Sequence, residues 1–305
     1  HALPILISTL EFPVLFLGAK PTKTPSFYNF MNFADFGLGT WHPQGGMYQV
    51  IKAMKNLAEE LGVTLNTDSP IEKIIIEQKK AKGVICKGES IYADFIVSGA
   101  DYHHSETLID EKYRQYSESY WDKKTFAPSS LLFYVGFDKK LASIQHHNLF
   151  FDTDFELHAK EIYDHPKWPK DPLFYANFPS ITDDSMAPND CEAGFFLIPI
   201  APNLEDTPKL RKHYIDIILK RFQEQTNQNV EDNILFNESF CVKDFKEQYN
   251  SYKGNAYGLA NTLSQTSFLR PNLKSKKVRN LFFTGQLTVP GPGVPPALIS
   301  GKLVS

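Results

Sequence analysis

Between Gly46 and Gly62 the apolar residues Met47, Val50, Ile51, Met54, Leu57, Ala58 and Leu61 recur three and four positions apart. That spacing predicts an amphipathic helix with Gly62 as its stop, and reads Met47 and Met54 as core residues. The period then shortens to that of strands: Ile71 to Ile76, Gly83 to Lys87 and Phe95 to Val97. The charged turn Gln78-Lys79-Lys80 between the first two predicts a hairpin. Ser129 to Phe137 and Gly194 to Ala201 are apolar enough for buried strands. Pro199, which has no N–H for a ladder, marks an edge or a bulge in the second. Leu210, Tyr214, Ile217, Ile218 and Phe222 predict a helix with one apolar side, while Asp164 to Asp190, rich in Pro, Asp and Trp, reads mostly as loop. Strands in a run with helices to one side predict an α+β domain on a mixed sheet with flanking helices. No internal repeat is evident.

The closing stretch, Asn280 to Ser305, is the most informative. Leu281 to Phe283 reads as a short buried strand, Gly285 permits a turn and close backbone approach, and Pro295-Pro296 suits a first helical turn. The entrance of a helix directs unpaired N–H groups and partial positive charge at whatever precedes it. It can hold a phosphate, a carboxylate or the electron-rich edge of a reduced flavin; on physics alone an ordinary strand-to-helix turn is the alternative.

Three motifs in order extend this reading: Gly39-Thr-Trp41-His42-Pro43-Gln-Gly45-Gly46-Met47, Ala93-Asp94-Phe95-Ile96-Val97-Ser98-Gly99-Ala100-Asp101, and the closing Gly/Pro segment. Together with Asn250 to Gly258 and Phe268-Leu-Arg270-Pro271, they resemble the bacterial-type phytoene desaturases, a carotenoid-dehydrogenating branch of the FAD-dependent amine-oxidase-like oxidoreductases. The resemblance implies an α/β fold with an α+β substrate domain, as the carboxy-terminal part of a two-domain enzyme. By the same resemblance, residues 1–40 are a substrate-domain segment and possible substrate or membrane entrance. Residues 41–101 are then an FAD-domain segment, 102–271 the substrate-binding domain and 272–305 the last FAD-domain segment. It further implies FAD as cofactor, a long apolar carotenoid such as phytoene as substrate, quinone or oxygen as electron acceptor, and a cytoplasmic, peripheral-membrane location. Cofactor contacts carried over are Trp41, Gly45, Gly46, Gly285, Gln286, Pro292, Gly293 and Val294. Gln286 stands where many flavoproteins have Asp, so it can exchange hydrogen bonds but carries no charge. No G-x-G-x-x-G turn is present; with the start at His1 and the end at Ser305 inside an apparent helix, this predicts a piece of a longer enzyme.

Composition narrows the alternatives. The 305 residues are 42% hydrophobic and 22% charged with a net charge of −3, an ordinary globular balance that disfavours a nucleic-acid partner. The 13% aromatic share suits a lining for a long apolar ligand, and equally an ordinary core. Cys86, Cys191 and Cys241 lie far apart, which predicts neither a disulfide framework nor a zinc finger and fits a reducing compartment. Leu3 to Ala19 is the most apolar stretch, but Glu11 and two prolines interrupt it; it reads as a buried helix and turn or as a lipid-touching entrance.

For acid/base chemistry the candidates are Asp35 and His42, flanking Trp41; a cap carboxylate and a hydrogen-bonded histidine are the structural alternatives. Arg270 reads as structural. His103-His104 and His146-His147 invite a metal, but no H-x-x-x-H or H-E-x-x-H spacing occurs, so none is predicted. No G-x-S-x-G elbow supports a hydrolase. The leading expectation is FAD-dependent carotenoid desaturation. A non-catalytic apolar-ligand-binding module, and a related carotenoid isomerase or retinoid saturase, are the alternatives.

Overall fold

The computed structural model describes residues 2–15 and 17–305; His1, and Phe16 of the Leu3 to Ala19 stretch, lie outside the described residues. The chain opens with helices α1 (Ala2–Leu15), α2 (Phe30–Asn32) and α3 (Tyr48–Glu60). Strands β1 (Ile71–Glu77), β2 (Lys80–Cys86), β3 (Glu89–Tyr92) and β4 (Ile96–Ser98) follow, then α4 (Tyr102–Thr107) and α5 (Glu118–Asp122). Next come β5 (Ser129–Phe137), β6 (His147–Phe150), α6 (Phe155–Tyr163), β7 (Phe174–Asn177) and β8 (Glu192–Ile200). The chain closes with α7 (Pro208–Thr226), β9 (Ile234–Phe240), α8 (Val242–Tyr249), β10 (Leu281–Phe283) and α9 (Val294–Val304). Two compact units result. One comprises His1–Pro13, Phe27–Leu65 and Ser129–Lys243; the other comprises Val14–Ser26, Asn66–Pro128 and Asp244–Ser305.

The first unit is built on a five-stranded sheet of order β6-β7-β8-β5-β9, antiparallel throughout. Strand alternation sends Leu131, Phe133, Val135 and Phe137 of β5 to one face, where they share a core with Tyr214, Ile215, Ile218, Leu219 and Phe222 of α7. Helix α7 starts where the sequence signals it: Thr207 Oγ1 accepts the Leu210 N–H and Pro208 fills the first turn. The other sheet face carries Leu132 and Tyr134 of β5, Phe195 of β8, Tyr175 of β7 and His147 of β6, and Tyr134 is 44% exposed.

Two expectations for this unit need correction. Pro199 lies in an interior strand, opposite Ser130 of β5. It is tolerated because β7 pairs with β8 only from Phe195 to Leu197, and the Pro199 carbonyl, facing the side β7 has left, accepts from His158 Nε2 at 2.9 Å. The 164–190 stretch is mostly loop, as read, with the short strand β7 inside it and Phe174 and Ala176 fully buried. Helix α3 forms as predicted and ends in a Schellman motif at Gly62, with Val63 N–H on Ala58 O and Gly62 N–H on Glu59 O. Met47 and Met54, however, are exposed with the rest of its apolar side, including Ile51 and Leu57, because no described element covers that face. Leu3, Ile5, Leu6, Ile7 and Leu10 of α1 are likewise exposed, and burial begins at Phe12.

In the second unit β1, β2 and β3 form an antiparallel meander. Gln78 and Lys79 both take positive φ between the paired residues Glu77 and Lys80, as a two-residue hairpin turn requires. Strand β4 pairs in parallel with β10, Ile96 to Ser98 beside Leu281 to Phe283. Parallel and antiparallel pairings thus fall in separate sheets rather than being mixed in one, and the second unit holds both kinds. The core here gathers Ile74, Ala81, Tyr102, Trp121, Leu281 and Phe283.

Candidate functional site

The parallel pair ends at Ser98 and Phe283, and beyond those ends the chain opens a cleft. Gly99-Ala100-Asp101 and Thr284-Gly285-Gln286 line a cavity of about 380 Å³, with Tyr249 and Asn255 on another side. Thr284 N–H continues the pairing to Ser98 O at 2.9 Å before Gly285, at φ +97°, turns the chain away. The Gly285 N–H donates to Ser300 Oγ at 2.9 Å, and that hydroxyl donates to Ala297 O at 2.6 Å, so one serine ties the strand end to α9.

The familial segments meet around this turn. Asp101 caps α4 by accepting His104 N–H and also accepts Tyr252 N–H at 3.1 Å. Burial holds its carboxyl above the ordinary range, against those two bonds. Asn255 Oδ1 accepts Gly258 N–H at 2.6 Å. A Cβ at Gly258 would stand 2.8 Å from Gln286 O, so that position tolerates only glycine. Buried Arg270 donates to Gln286 O at 3.1 Å, to Leu259 O at 2.9 Å and to Asn261 Oδ1, the structural role its sequence context implies.

Helix α9 opens at Val294 behind Gly293 at φ +111°. Pro295 and Pro296 have no N–H, so the entrance offers fewer donors than a general helix N-terminus would. Ala297 N–H is already spent on Gly293 O. The amides without a described partner are those of Gly293 and Val294, and Val294 is 58% exposed.

The Trp41 motif belongs to the first unit. Trp41 is 86% exposed, its indole N–H reaching Leu38 O at 3.4 Å. Gly45 and Gly46 take φ +81° and +87°. Gly45 N–H donates to Asp183 Oδ2 at 2.6 Å, and Gly46 lies against Met186, whose side chain an added Cβ would meet at 3.0 Å. His42 Nε2 is 3.3 Å from the same Asp183 oxygen, within ion-pair reach though poorly aligned for a hydrogen bond. His42, His146, His147 and Asp183 line a cavity of about 600 Å³. The His42 and His146 rings meet edge to face at 4.9 Å. His146 Nδ1 pairs with Thr182 Oγ1 at 2.6 Å, and His147 Nδ1 with Tyr175 Oη at 2.7 Å. Burial, then the neighbouring imidazoles, keeps His146 and His147 below the usual histidine range. Asp183 is pulled down to about 2 by the Ser185 hydroxyl and the Gly45 N–H. Asp35 is exposed on the Phe33–Leu38 turn, close enough for its charge to oppose the lowering at His147.

The sequence reading missed Asp183, Thr182 and Ser185, which fall in the stretch read as loop. The local sign there marks only a turn, in which the Asp183 carboxylate accepts Ser185 N–H at 3.0 Å. Among the described residues no group of three or more His, Cys, Asp or Glu side chains is arranged to hold a metal ion.

A cleft at the carboxyl ends of parallel strands beside a glycine turn is where α/β proteins commonly hold nucleotide-type cofactors. The family model described as flavin containing amine oxidoreductase matches residues 3–305, and the chain belongs to that family. It is 42% identical to the carotenoid 3,4-desaturase of Haloarcula japonica over 98% of this chain and 61% of that protein. It is 31% identical to the zeta-carotene-forming phytoene desaturase of Myxococcus xanthus over 98% of this chain and 58% of that protein. The chain therefore spans about three-fifths of the length of these relatives. An oxidoreductase from Methanosarcina mazei shares the fold, with a TM-score of 0.65 at 18% identity over 98% of this chain and 67% of that one. The cofactor the family implies is FAD. The strand-end residues leave room for it: an added Cβ at Gly285 would meet nothing closer than Gly99 O at 3.7 Å, while Gly293 and Val294 lie outside the residues that line this cavity.

Proposed function

We propose that this chain supplies the substrate platform and the closing flavin segments of an FAD-dependent carotenoid desaturase. The observation that carries the reading is the cleft in front of the Gly285-Gln286 turn, where a bend packed against solid protein would leave nothing for a cofactor. Both relatives named above bear carotenoid-desaturating names. In this reading Gly285, Gln286, Pro292, Gly293 and Val294 frame the ring, and the two free amides stabilise charge that develops on reduction. FAD, when bound, accepts the hydride; the chain orients substrate and excludes water.

Trp41, Gly45 and Gly46 are carried in this reading as further cofactor contacts, with His42 as proton acceptor and Asp35 as an auxiliary carboxylate. The half-open sheet face bearing Tyr134, Phe195 and Tyr175 carries the polyene, a flat apolar chain matched to aromatic surfaces. The bare apolar side of α1, with Phe27, Phe30, Phe33 and Phe36, supports peripheral contact with a membrane from which such a substrate is drawn. No helix among the described residues is long and apolar enough to cross one. Quinone or oxygen reoxidises the flavin, at the cytoplasmic membrane surface.

The test is the FAD-loaded enzyme carrying this chain, supplied with phytoene in vesicles. A red shift of the polyene absorption is expected as conjugation lengthens. Stoichiometric flavin with an unchanged polyene spectrum would reject the reading.

A further inference from the structure

Asp183 lies far along the chain from the Trp41 motif and yet is the residue that motif is fastened to. Its carboxylate is saturated. Oδ2 accepts Gly45 N–H at 2.6 Å, while Oδ1 accepts both Ser185 N–H at 3.0 Å and Ser185 Oγ–H at 2.6 Å. The residue is held from behind as well, with its own N–H on Pro179 O and Met186 N–H on its carbonyl. Its side chain is 4% exposed. Three donors of fixed position therefore leave the carboxylate one orientation, and in that orientation Oδ2 stands 3.3 Å from His42 Nε2, off the line of a hydrogen bond, so the carboxylate acts on the ring through its charge.

An ionised carboxylate only accepts hydrogen bonds, so a neutral imidazole beside it is stabilised with its proton on the facing nitrogen. The other nitrogen then keeps its lone pair. His42 Nδ1 has no described hydrogen-bond partner. The bonds that hold Asp183 ionised, from the Ser185 hydroxyl and the Gly45 amide, also depress its pKa, so it does not compete for the proton.

We propose that Asp183 is a positioning residue for His42: it fixes the proton on Nε2 and leaves Nδ1 free to receive the proton released from substrate. This rests on the reading of His42 as proton acceptor. The balance is that of a dehydrogenation. FAD, when bound, would take up as hydride the hydrogen lost from one polyene carbon. The adjacent C–H bond breaks with its electron pair retained to form the new C=C, and the proton moves to Nδ1, making an imidazolium beside the carboxylate. Besides Asp183, the groups facing that imidazolium are His146 and His147, both held neutral, and Asp184, which also lines the cavity. The net environment of the protonated ring is therefore anionic.

The experiment reads the tautomer directly. In the 305-residue chain with ¹⁵N-labelled histidine, two-bond ¹H–¹⁵N correlations should give His42 the Nε2–H pattern at neutral pH. In Asp183→Asn that preference should be lost, and in Ser185→Ala, which keeps the charge but loosens it, a mixture should appear. In the FAD-loaded enzyme Asp183→Asn should lower kcat roughly 10- to 100-fold with KM and flavin content nearly unchanged. Finding the Nδ1–H form dominant in the unsubstituted chain overturns the proposal without any variant. An unchanged tautomer in a folded Asp183→Asn chain does the same. If instead His42→Asn retains full turnover, the proton-acceptor reading itself fails, whatever the tautomer shows.

Discussion

The guanidinium of Arg270 donates to the backbone carbonyl of Gln286 at 3.1 Å, and so a buried cation holds the turn that fronts the strand-end cleft. The same side chain reaches Leu259 O and Asn261 Oδ1, and its Cζ lies 3.2 Å from where a Cβ on Gly291 would be. One planar fork thus ties the Gln286 turn to Leu259 and Asn261 and packs beside Gly291. Arg270→Ala leaves the buried Leu259 and Asn261 acceptors and the part-buried Gln286 carbonyl without their donor, and leaving buried acceptors unmet costs about 2–4 kcal/mol. Arg270→Lys should recover little of it, because a single ammonium cannot span three acceptors of fixed geometry. Urea unfolding of the three proteins, with FAD retention measured alongside, checks this; a lysine variant as stable as the parent would contradict it.

Two glycines near that turn separate strain from collision. At Gly285 an added Cβ meets nothing closer than Gly99 O at 3.7 Å, so Gly285→Ala costs only its unfavourable backbone at φ +97°, about 1–2 kcal/mol. At Gly258, with φ +78°, a Cβ adds a 2.8 Å approach to the Gln286 carbonyl, which is backbone and cannot swing away. Gly258→Ala should therefore be the more damaging by at least about 1 kcal/mol. Thermal melts of the two variants decide the order, and equal losses would show that the Gln286 turn yields.

His158 gives the first unit a built-in acid sensitivity. It is 1% exposed, donates from Nε2 to Pro199 O and accepts Leu173 N–H at Nδ1, a neutral ring with both nitrogens engaged. Burial pushes its pKa down to about 4. Between pH 6.5 and 4 the unfolded chain takes up a proton that the folded chain refuses, so stability falls as pH falls through that window. The loss contributed by this residue is on the order of 3 kcal/mol. Below the folded pKa no further loss comes from it. Urea midpoints across that range should slope more steeply for the parent than for His158→Asn, and parallel slopes would assign the acid sensitivity elsewhere.

Helix α3, the β1–β2 hairpin, β5 and α7 were readable because each is long enough for its period to be seen and is bounded by turn chemistry. Strand β7 was not, since four residues in a Pro- and Asp-rich stretch show no alternation. Pro199 misled because the missing ladder bond depends on where β7 stops, which is a fact of the neighbouring strand. Exposure of Met47 and Met54 escaped the reading for a related reason: amphipathicity says which side of a helix is apolar, not whether anything lies against it. Of the sites, the Gly285 turn and the Trp41 loop were legible as motifs. Asp183 was not, because its role is a long-range bond to Gly45, and no local pattern encodes a partner that distant.

The apolar side of α1 offers the last test. Leu3, Leu6, Ile7 and Leu10 are exposed, Leu6 at 56%, and within Leu3 to Leu10 no residue is charged. Water-facing leucines contribute little to folding, so Leu6→Asp should leave the unfolding midpoint within about 0.5 kcal/mol of the parent. In a bilayer interface the same substitution removes a buried apolar side chain worth about 1.5–3 kcal/mol and adds a charge, so vesicle affinity should drop at least about tenfold. Cosedimentation with phosphatidylcholine vesicles measures the affinity, and near-ultraviolet circular dichroism verifies the fold. Thr9 is the matched control: its hydroxyl is already bonded to Ile5 O, and Thr9→Ser removes little apolar surface, so binding should persist. Equal binding by Leu6→Asp and the parent would move the membrane-facing surface away from α1, to the phenylalanines at Phe27 through Phe36 or off this chain.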